Sequence, residues 1–332
     1  MSSTQASQPL DLHVMVFAGP NGSGKTSVIE EIKQTGLATV SGVYPVPARF
    51  INPDQVAKDL KGNFADQNAR DEAAQAAAIQ ARAEAIASKL PFAFETVMSH
   101  PSRINEMLML KEQGYRLFLT FITTDNPETN VDRVKFRYET GTTTGHYVAP
   151  DKVRERYERT LALLPRAAEV ADNVYIYDNS AEFTEAKLQA VIERNIQFAV
   201  APDAKDWVIK RLVHPLKQRE REQQQLTAEL EKKGYAVTGA DELRGIYTGP
   251  VLLKTTYFLG QLDTAAGNCV IHDLLMLGLL PDDKKQAVTT LQRDDQISIS
   301  YSTTGAPHVE KHGKISGLSP RSKETISTKS RR

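Results

Sequence analysis

Five short apolar runs recur along the chain, at positions 12–18, 49–52, 92–94, 116–122 and 174–177, and each is separated from the next by a stretch of helical character. Runs this short, apolar at successive positions, suit strands that are covered on both faces. Strands and helices in alternation build an α/β fold around a doubly wound parallel sheet. Residues 66–89 are rich in alanine and other strong helix formers and stop before Pro91, as a crossover helix leading into the strand at Phe92 should. Residues 150–171 open on Pro150-Asp151 and carry Val153, Tyr157, Leu161 and Leu164 near helical spacing, with Arg154, Arg156 and Arg159 between them.

The pattern changes after residue 200. Residues 217–233 are dominated by Gln, Glu, Lys and Arg, the composition of an exposed connecting helix. Beyond Gly234, the segment 245–249, the strand-like 251–259 and Cys269-Val270-Ile271 predict a small β-rich module. From residue 303 the chain is rich in Ser, Thr, Gly, Pro, Lys and Arg, with almost no large apolar side chain to order it. The expected organisation is a disordered start over 1–10, an α/β domain over 11–200, a charged helical linker over 201–235, the β-rich module over 236–302 and a disordered basic tail over 303–332.

Composition narrows the class. With 332 residues the chain has room for two domains. Lys+Arg and Asp+Glu both number 41, so no global field recruits nucleic acid or an anionic membrane, and nucleic-acid contact is restricted to the basic tail. The single cysteine, Cys269, excludes an internal disulfide framework and suits a reducing compartment. No stretch approaches the ~20 apolar residues of a membrane span, and the N-terminus lacks a secretory pattern, so the expectation is a cytoplasmic protein.

The chemistry is concentrated behind the first apolar run. Gly19-Pro20-Asn21-Gly22-Ser23-Gly24-Lys25-Thr26 fits the phosphate-binding P-loop at every fixed position. In such a loop the glycines let backbone N–H groups wrap a β-phosphate, Lys25 reaches the β and γ oxygens, and the Thr26 hydroxyl ligates Mg²⁺. Ser27 continues into a helix whose N-terminal dipole favours the phosphates. ATP and Mg²⁺ are therefore the expected ligands of residues 19–27.

Phosphoryl transfer also needs a group to orient the acceptor and cations for the developing charge. The second run ends at Asp54, in the ligand-facing position of an open α/β sheet, where a carboxylate takes a hydrogen bond or proton from a substrate hydroxyl. The same residue also suits an N-cap. The third run ends in Phe94-Glu95-Thr96, with Glu95 the one charge in an apolar stretch, placed for a substrate contact or a structural ion pair. Arg133 and Arg137 stand four residues apart on one helical face. The small, polar segment 139–146 that follows has the character of a lid. With Arg154 and Arg156, these arginines form a group from which a phosphate clamp is drawn. No Ser/His/Asp order, zinc-ligand spacing or hydrolase carboxylate pair stands out.

These pieces, in this order, resemble the zeta-toxin family of P-loop kinases. The resemblance rests on the P-loop, Phe50-Ile51-Asn52-Pro53-Asp54, Phe92-Ala93-Phe94-Glu95-Thr96, Arg133-Val134 with Arg137, Gly145-His146-Tyr147-Val148-Ala149-Pro150, Arg154-Glu155-Arg156-Tyr157 and Tyr177-Asp178-Asn179-Ser180, covering about residues 12–185. That family phosphorylates the 3′-hydroxyl of the amino sugar in UDP-N-acetylglucosamine, consuming ATP and removing a cell-wall precursor. The resemblance implies Asp54 as catalytic base and Lys25, Thr26 and Arg133 on ATP·Mg²⁺. It also implies Glu95, Thr96 and His146 near the sugar, Arg137 and Arg156 as the transition-state clamp, and an antitoxin as partner. One departure is Thr144, where members often carry the first glycine of Gly-Gly-His. Farther on, 247–252, Gln261 and Val270-Ile271-His272 are faintly similar to a β module of plasmid-encoded KfrB-type proteins.

Two other readings use the same residues. A regulatory ATPase would let nucleotide state control a partner surface on the C-terminal module. A kinase of another nucleotide acceptor would keep the core and change the target.

Overall fold

The computed structural model describes residues 12–52, 55–56, 64, 66–141, 148–182, 184–278, 291–303 and 306–314. Strand β1 (His13–Ala18) is buried along its whole length. It pairs in parallel with β5 (Phe92–Thr96) on one side and β6 (Arg116–Thr123) on the other. With β4 (Phe50–Ile51) outside β5 and β7 (Asn173–Asp178) outside β6, these strands form the parallel part of a sheet ordered β4-β5-β1-β6-β7-β8-β9. Burial on both faces explains their unbroken apolar runs. The expected doubly wound sheet is therefore present, and it carries an antiparallel extension, β8 (Lys187–Glu193) and β9 (Gln197–Val200), that the run pattern does not reveal. Lys187, Leu188, Ile196 and Phe198 stand partly open there, so apolar and polar positions mix.

Between β1 and β4 lie helix α1 (Lys25–Thr35) and a hairpin of β2 (Leu37–Thr39) and β3 (Gly42–Tyr44). The alanine-rich stretch is helix α2 (Gln67–Ala87), opened by Asp66, whose side chain accepts the Ala69 N–H at 2.8 Å. Helix α3 (Ser102–Glu112) follows β5, and α4 (Pro127–Thr140) follows β6, capped by the Asn126 side chain. The segment read as 150–171 is α5 (Pro150–Val170), with Pro150 at its start and Val153, Tyr157, Leu161 and Leu164 buried.

A helical turn (Asp206–Val208) and a π-helical stretch (Ile209–Val213) lead into α6 (His214–Lys232). A second sheet, ordered β10-β13-β12-β11-β14-β15, then forms the predicted C-terminal module. Its strands are β10 (Val237–Gly239), β11 (Ile246–Lys254), β12 (Phe258–Leu262), β13 (Cys269–Asp273), β14 (Asp295–Ser300) and β15 (His308–Lys314). Strand β15 falls within the stretch expected to be a disordered tail. Its pairing with β14, and an ion pair of Lys311 with the buried Asp295 at 2.7 Å, supply the order that its composition does not. Residues 315–332, with the remaining basic residues of that stretch, lie outside the described residues.

Helix α6 also departs from its expected role as an exposed connector. Leu226 and Leu230 are buried, and Gly260 leaves room for Leu230 where a Cβ would come within 2.9 Å. Arg219 is fully buried. It donates twice to Glu169 of α5, both at 2.7 Å, and twice to Asp273 of β13, at 2.6 and 3.4 Å, and its guanidinium lies 5.0 Å from the Phe258 ring centre. Arg166 of α5 completes the seam, reaching Glu242 at 2.5 Å and Asp273 at 3.2 Å. One apolar core runs from the first sheet through α5 and α6 to Phe258 and Cys269. Among the described residues no helix is long and apolar enough to cross a membrane.

Candidate active site

The predicted P-loop joins the carboxyl end of β1 to α1, the position at which an open α/β sheet takes ligands. Gly19, Gly22 and Gly24 all have positive φ, at 151°, 80° and 81°. A Cβ on Gly19 would overlap the Ile122 carbonyl of the neighbouring strand, so the loop owes this glycine to close backbone approach. Gly24 immediately precedes α1, which leaves the helix N-terminus facing the loop.

Lys25 is buried and folds back over the loop. Its Nζ donates to the carbonyls of Gly19 at 2.9 Å and Pro20 at 3.0 Å and lies 3.6 Å from Glu95 Oε1. Glu95 stands at the carboxyl end of β5, next to β1, and its other oxygen accepts from Asn52 Nδ2 at 3.0 Å. The two ends of adjacent strands thus bring together the predicted phosphate-binding cation and a predicted substrate-binding carboxylate. Thr96 is half-buried beside them, its hydroxyl accepting from the Met98 N–H at 3.2 Å and its carbonyl accepting from the Gly19 N–H. Thr26 and Ser27 are exposed at the start of α1. Ser23 is fully buried, and its hydroxyl has no hydrogen-bond partner, an orphaned donor inside the loop.

The four arginines separate into different roles. Arg156 of α5 reaches the side-chain oxygen of Asn21 at 3.3 Å and so borders the P-loop. Arg133 of α4 donates to the Asn179 carbonyl at 2.8 Å. Arg137, one turn farther along α4, keeps a buried Nε without a partner. Arg154 is instead committed to the surface, with a two-pronged bond to Glu128 at 2.7 Å and a contact to Asp151 at 3.0 Å. Asp54 and His146 lie outside the described residues.

Two asparagines on the loop's outer side complete the arrangement. Asn130 of α4 donates to the Asn21 carbonyl at 2.7 Å, and Asn179, just after β7, donates to the Ser23 carbonyl at 2.9 Å. Asn130 was not among the sequence candidates. Its signal is a polar residue next to the buried Val131, on the helix face that also buries Val134. Asp178 is buried, accepting from Trp207 Nε1 at 2.7 Å and from the Ser180 hydroxyl at 2.9 Å.

The chain matches the family described as zeta toxin over residues 2–186, more than half its length. It belongs to the zeta toxin family. A Haemophilus influenzae protein described only as uncharacterized is 32% identical over 143 residues, which is 42% of this chain and 89% of that one. Among solved structures, AvrRxo1-ORF1:-ORF2 with ATP is similar at 16% identity and a TM-score of 0.43, over 57% of this chain and 60% of that chain. The PezAT chromosomal toxin–antitoxin system of Streptococcus pneumoniae is similar at 15% identity and a TM-score of 0.41, over 68% of this chain and 88% of that one. The chain therefore spans less than two thirds of the AvrRxo1 chain, and α6 and the β-rich module lie beyond the zeta toxin match.

The donor set suits a nucleoside triphosphate. The positive-φ loop, the buried ammonium, the orphaned Ser23 hydroxyl and the helix N-terminus are all groups that recognise anions. Among the described residues no group of three or more His, Cys, Asp or Glu could hold a metal ion.

Proposed function

We propose that the protein is an ATP-dependent kinase that transfers the γ-phosphate to the 3′-hydroxyl of the amino sugar in UDP-N-acetylglucosamine, as the toxin of a toxin–antitoxin pair in the cytoplasm. The observation that carries the reading is the meeting of Lys25 and Glu95 at adjacent strand ends inside a zeta toxin family domain. Residues 19–27 hold the triphosphate, and the Thr26 hydroxyl would hold a Mg²⁺ ion that, when bound, would supply charge neutralisation at the phosphates. Lys25 exchanges its loop carbonyls for phosphate oxygens, Asp54 takes the proton of the attacking hydroxyl, and Glu95 and Thr96 orient the sugar, with His146 in the lid. Arg137 and Arg156 stabilise charge on the transferred group, and Arg133 steadies the nucleotide side.

Expression of the wild type in bacteria tests this reading. It should arrest growth with phosphorylated UDP-N-acetylglucosamine in the cell extract, and Lys25→Ala should do neither. Arrest by the Lys25 variant would mean that phosphoryl chemistry is not the cause.

One observation favours a second reading, a nucleotide-controlled adaptor. Helix α6 and the β-rich module are joined to α5 by the network of Arg166 and Glu169 with the buried Arg219 and Asp273, and α5 also carries Arg156 at the P-loop. On that reading, capture of a partner by the module depends on ATP and no small acceptor is phosphorylated.

A further inference from the structure

A P-loop binds phosphate through the backbone N–H groups that it offers, and here the opposite ends of two of those peptide units are held. The Asn21 carbonyl accepts from Asn130 and the Ser23 carbonyl from Asn179. A trans peptide is planar, with its C=O and N–H pointing in opposite directions, so fixing one fixes the other. The N–H opposite the Asn21 carbonyl belongs to Gly22, and the N–H opposite the Ser23 carbonyl belongs to Gly24. Among the described residues, neither of these N–H groups donates to a backbone carbonyl.

Both asparagines are themselves fixed. Asn130 is fully buried, and its amide oxygen accepts from the Thr124 hydroxyl, which leaves the amide nitrogen to face the loop. Asn179 donates its backbone N–H to Thr123 at 2.7 Å and accepts from Arg133 through its carbonyl. The glycines match them from the other side. A Cβ on Gly22 would overlap the Asn130 carbonyl, and a Cβ on Gly24 would overlap the Asn179 amide. The spacing of these glycines thus reflects the approach of the two asparagines as well as the needs of a phosphate.

We infer that Asn130 and Asn179 are positioning residues that hold the Gly22 and Gly24 N–H groups in their phosphate-binding orientation. The inference rests on the ATP reading above and names what prepares the loop for the β-phosphate. The Asn179 latch is braced on both sides: Trp207, outside the zeta toxin match, bonds Asp178, the preceding residue, and Ser180, the following one, accepts the Asp125 N–H at 2.8 Å.

Asn179→Asp and Asn130→Asp keep the side-chain shape and remove the donor. Titration of the full chain with ATP·Mg²⁺ and ADP·Mg²⁺ should show Kd raised about tenfold in each variant, as loss of a buried hydrogen bond implies. AMP, which lacks a β-phosphate, should bind within about twofold of wild type, because a general structural defect would weaken all three nucleotides alike. Asn179→Ser replaces the aspartate variant if the latter does not fold, and its short hydroxyl should show the same split. Unchanged ATP and ADP affinities, or an equal loss for all three nucleotides, would overturn the inference. A wild type that binds none of them would overturn the nucleotide reading itself.

Discussion

Lys25 Nζ and Glu95 Oε1 lie 3.6 Å apart, the ammonium from the start of α1 and the carboxylate from the end of β5. On the kinase reading proposed above, a triphosphate in the loop would draw the ammonium towards its own oxygens and leave Glu95 to the acceptor. Glu95→Gln keeps an oxygen for Asn52 and removes the charge. Its turnover should fall by about two orders of magnitude, with ATP affinity changed by less than about threefold. Steady-state kinetics beside direct ATP titration check the split. An equal loss in both would make Glu95 a phosphate-site residue.

Neighbouring arginines on α5 should behave differently. Arg156 borders Asn21 of the P-loop, whereas Arg154 is saturated by Glu128 and Asp151 at the surface. Arg156→Ala is expected to lower kcat/KM by about a hundredfold or more, the scale of losing a charge stabiliser. Arg154→Ala should lower it by less than about threefold, since surface pairs contribute little. Comparable losses would contradict the assignment of the clamp.

The α/β half of the fold was legible because its strands are buried on both faces and its loop carries fixed glycines. Runs 12–18 and 116–122, the alanine-rich stretch 66–89 and the Pro150-Asp151 start map onto β1, β6, α2 and α5. What escaped the sequence depends on long-range pairing. Composition makes α6 read as solvated, since the buried Arg219 needs Glu169 and Asp273, 50 and 54 residues away, to enter the core. Strand β15 shows almost no apolar pattern because it is an edge strand held by β14. At the site, the P-loop and Glu95 were readable as motifs, whereas Asn130 acts on a carbonyl 109 residues away.

The Arg219 seam predicts a stability effect. Arg219→Ala leaves Glu169 and the buried Asp273 with Arg166 as their remaining cation, so the loss should lie below the about 3–5 kcal/mol of a buried pair broken outright, yet above about 1 kcal/mol. Denaturant unfolding should show that loss. Arg219→Lys should recover little of it, because a single ammonium cannot reproduce the two-pronged bond. A variant as stable as wild type would mean that α6 docks through its leucines alone.

His272 gives a pH dependence. It is buried in the β-rich module, bonded through Nδ1 to the Tyr301 hydroxyl at 2.9 Å and flanked by the Tyr247 ring, and burial lowers its pKa from 6.5 to about 3. Between those values the unfolded chain binds a proton that the folded chain does not, so stability falls as pH drops from about 6.5 towards about 3. His272→Gln should unfold with a shallower pH dependence across that window. Parallel curves for the two proteins would show that His272 does not contribute to it.

The central claim is tested most directly by the mass of the acceptor. Purified wild type and Lys25→Ala, each incubated with ATP·Mg²⁺ and a panel of nucleotide sugars, should differ in one product, UDP-N-acetylglucosamine heavier by a single phosphate with the wild type alone. Wild type that binds ATP and leaves every nucleotide sugar at its original mass would contradict the account.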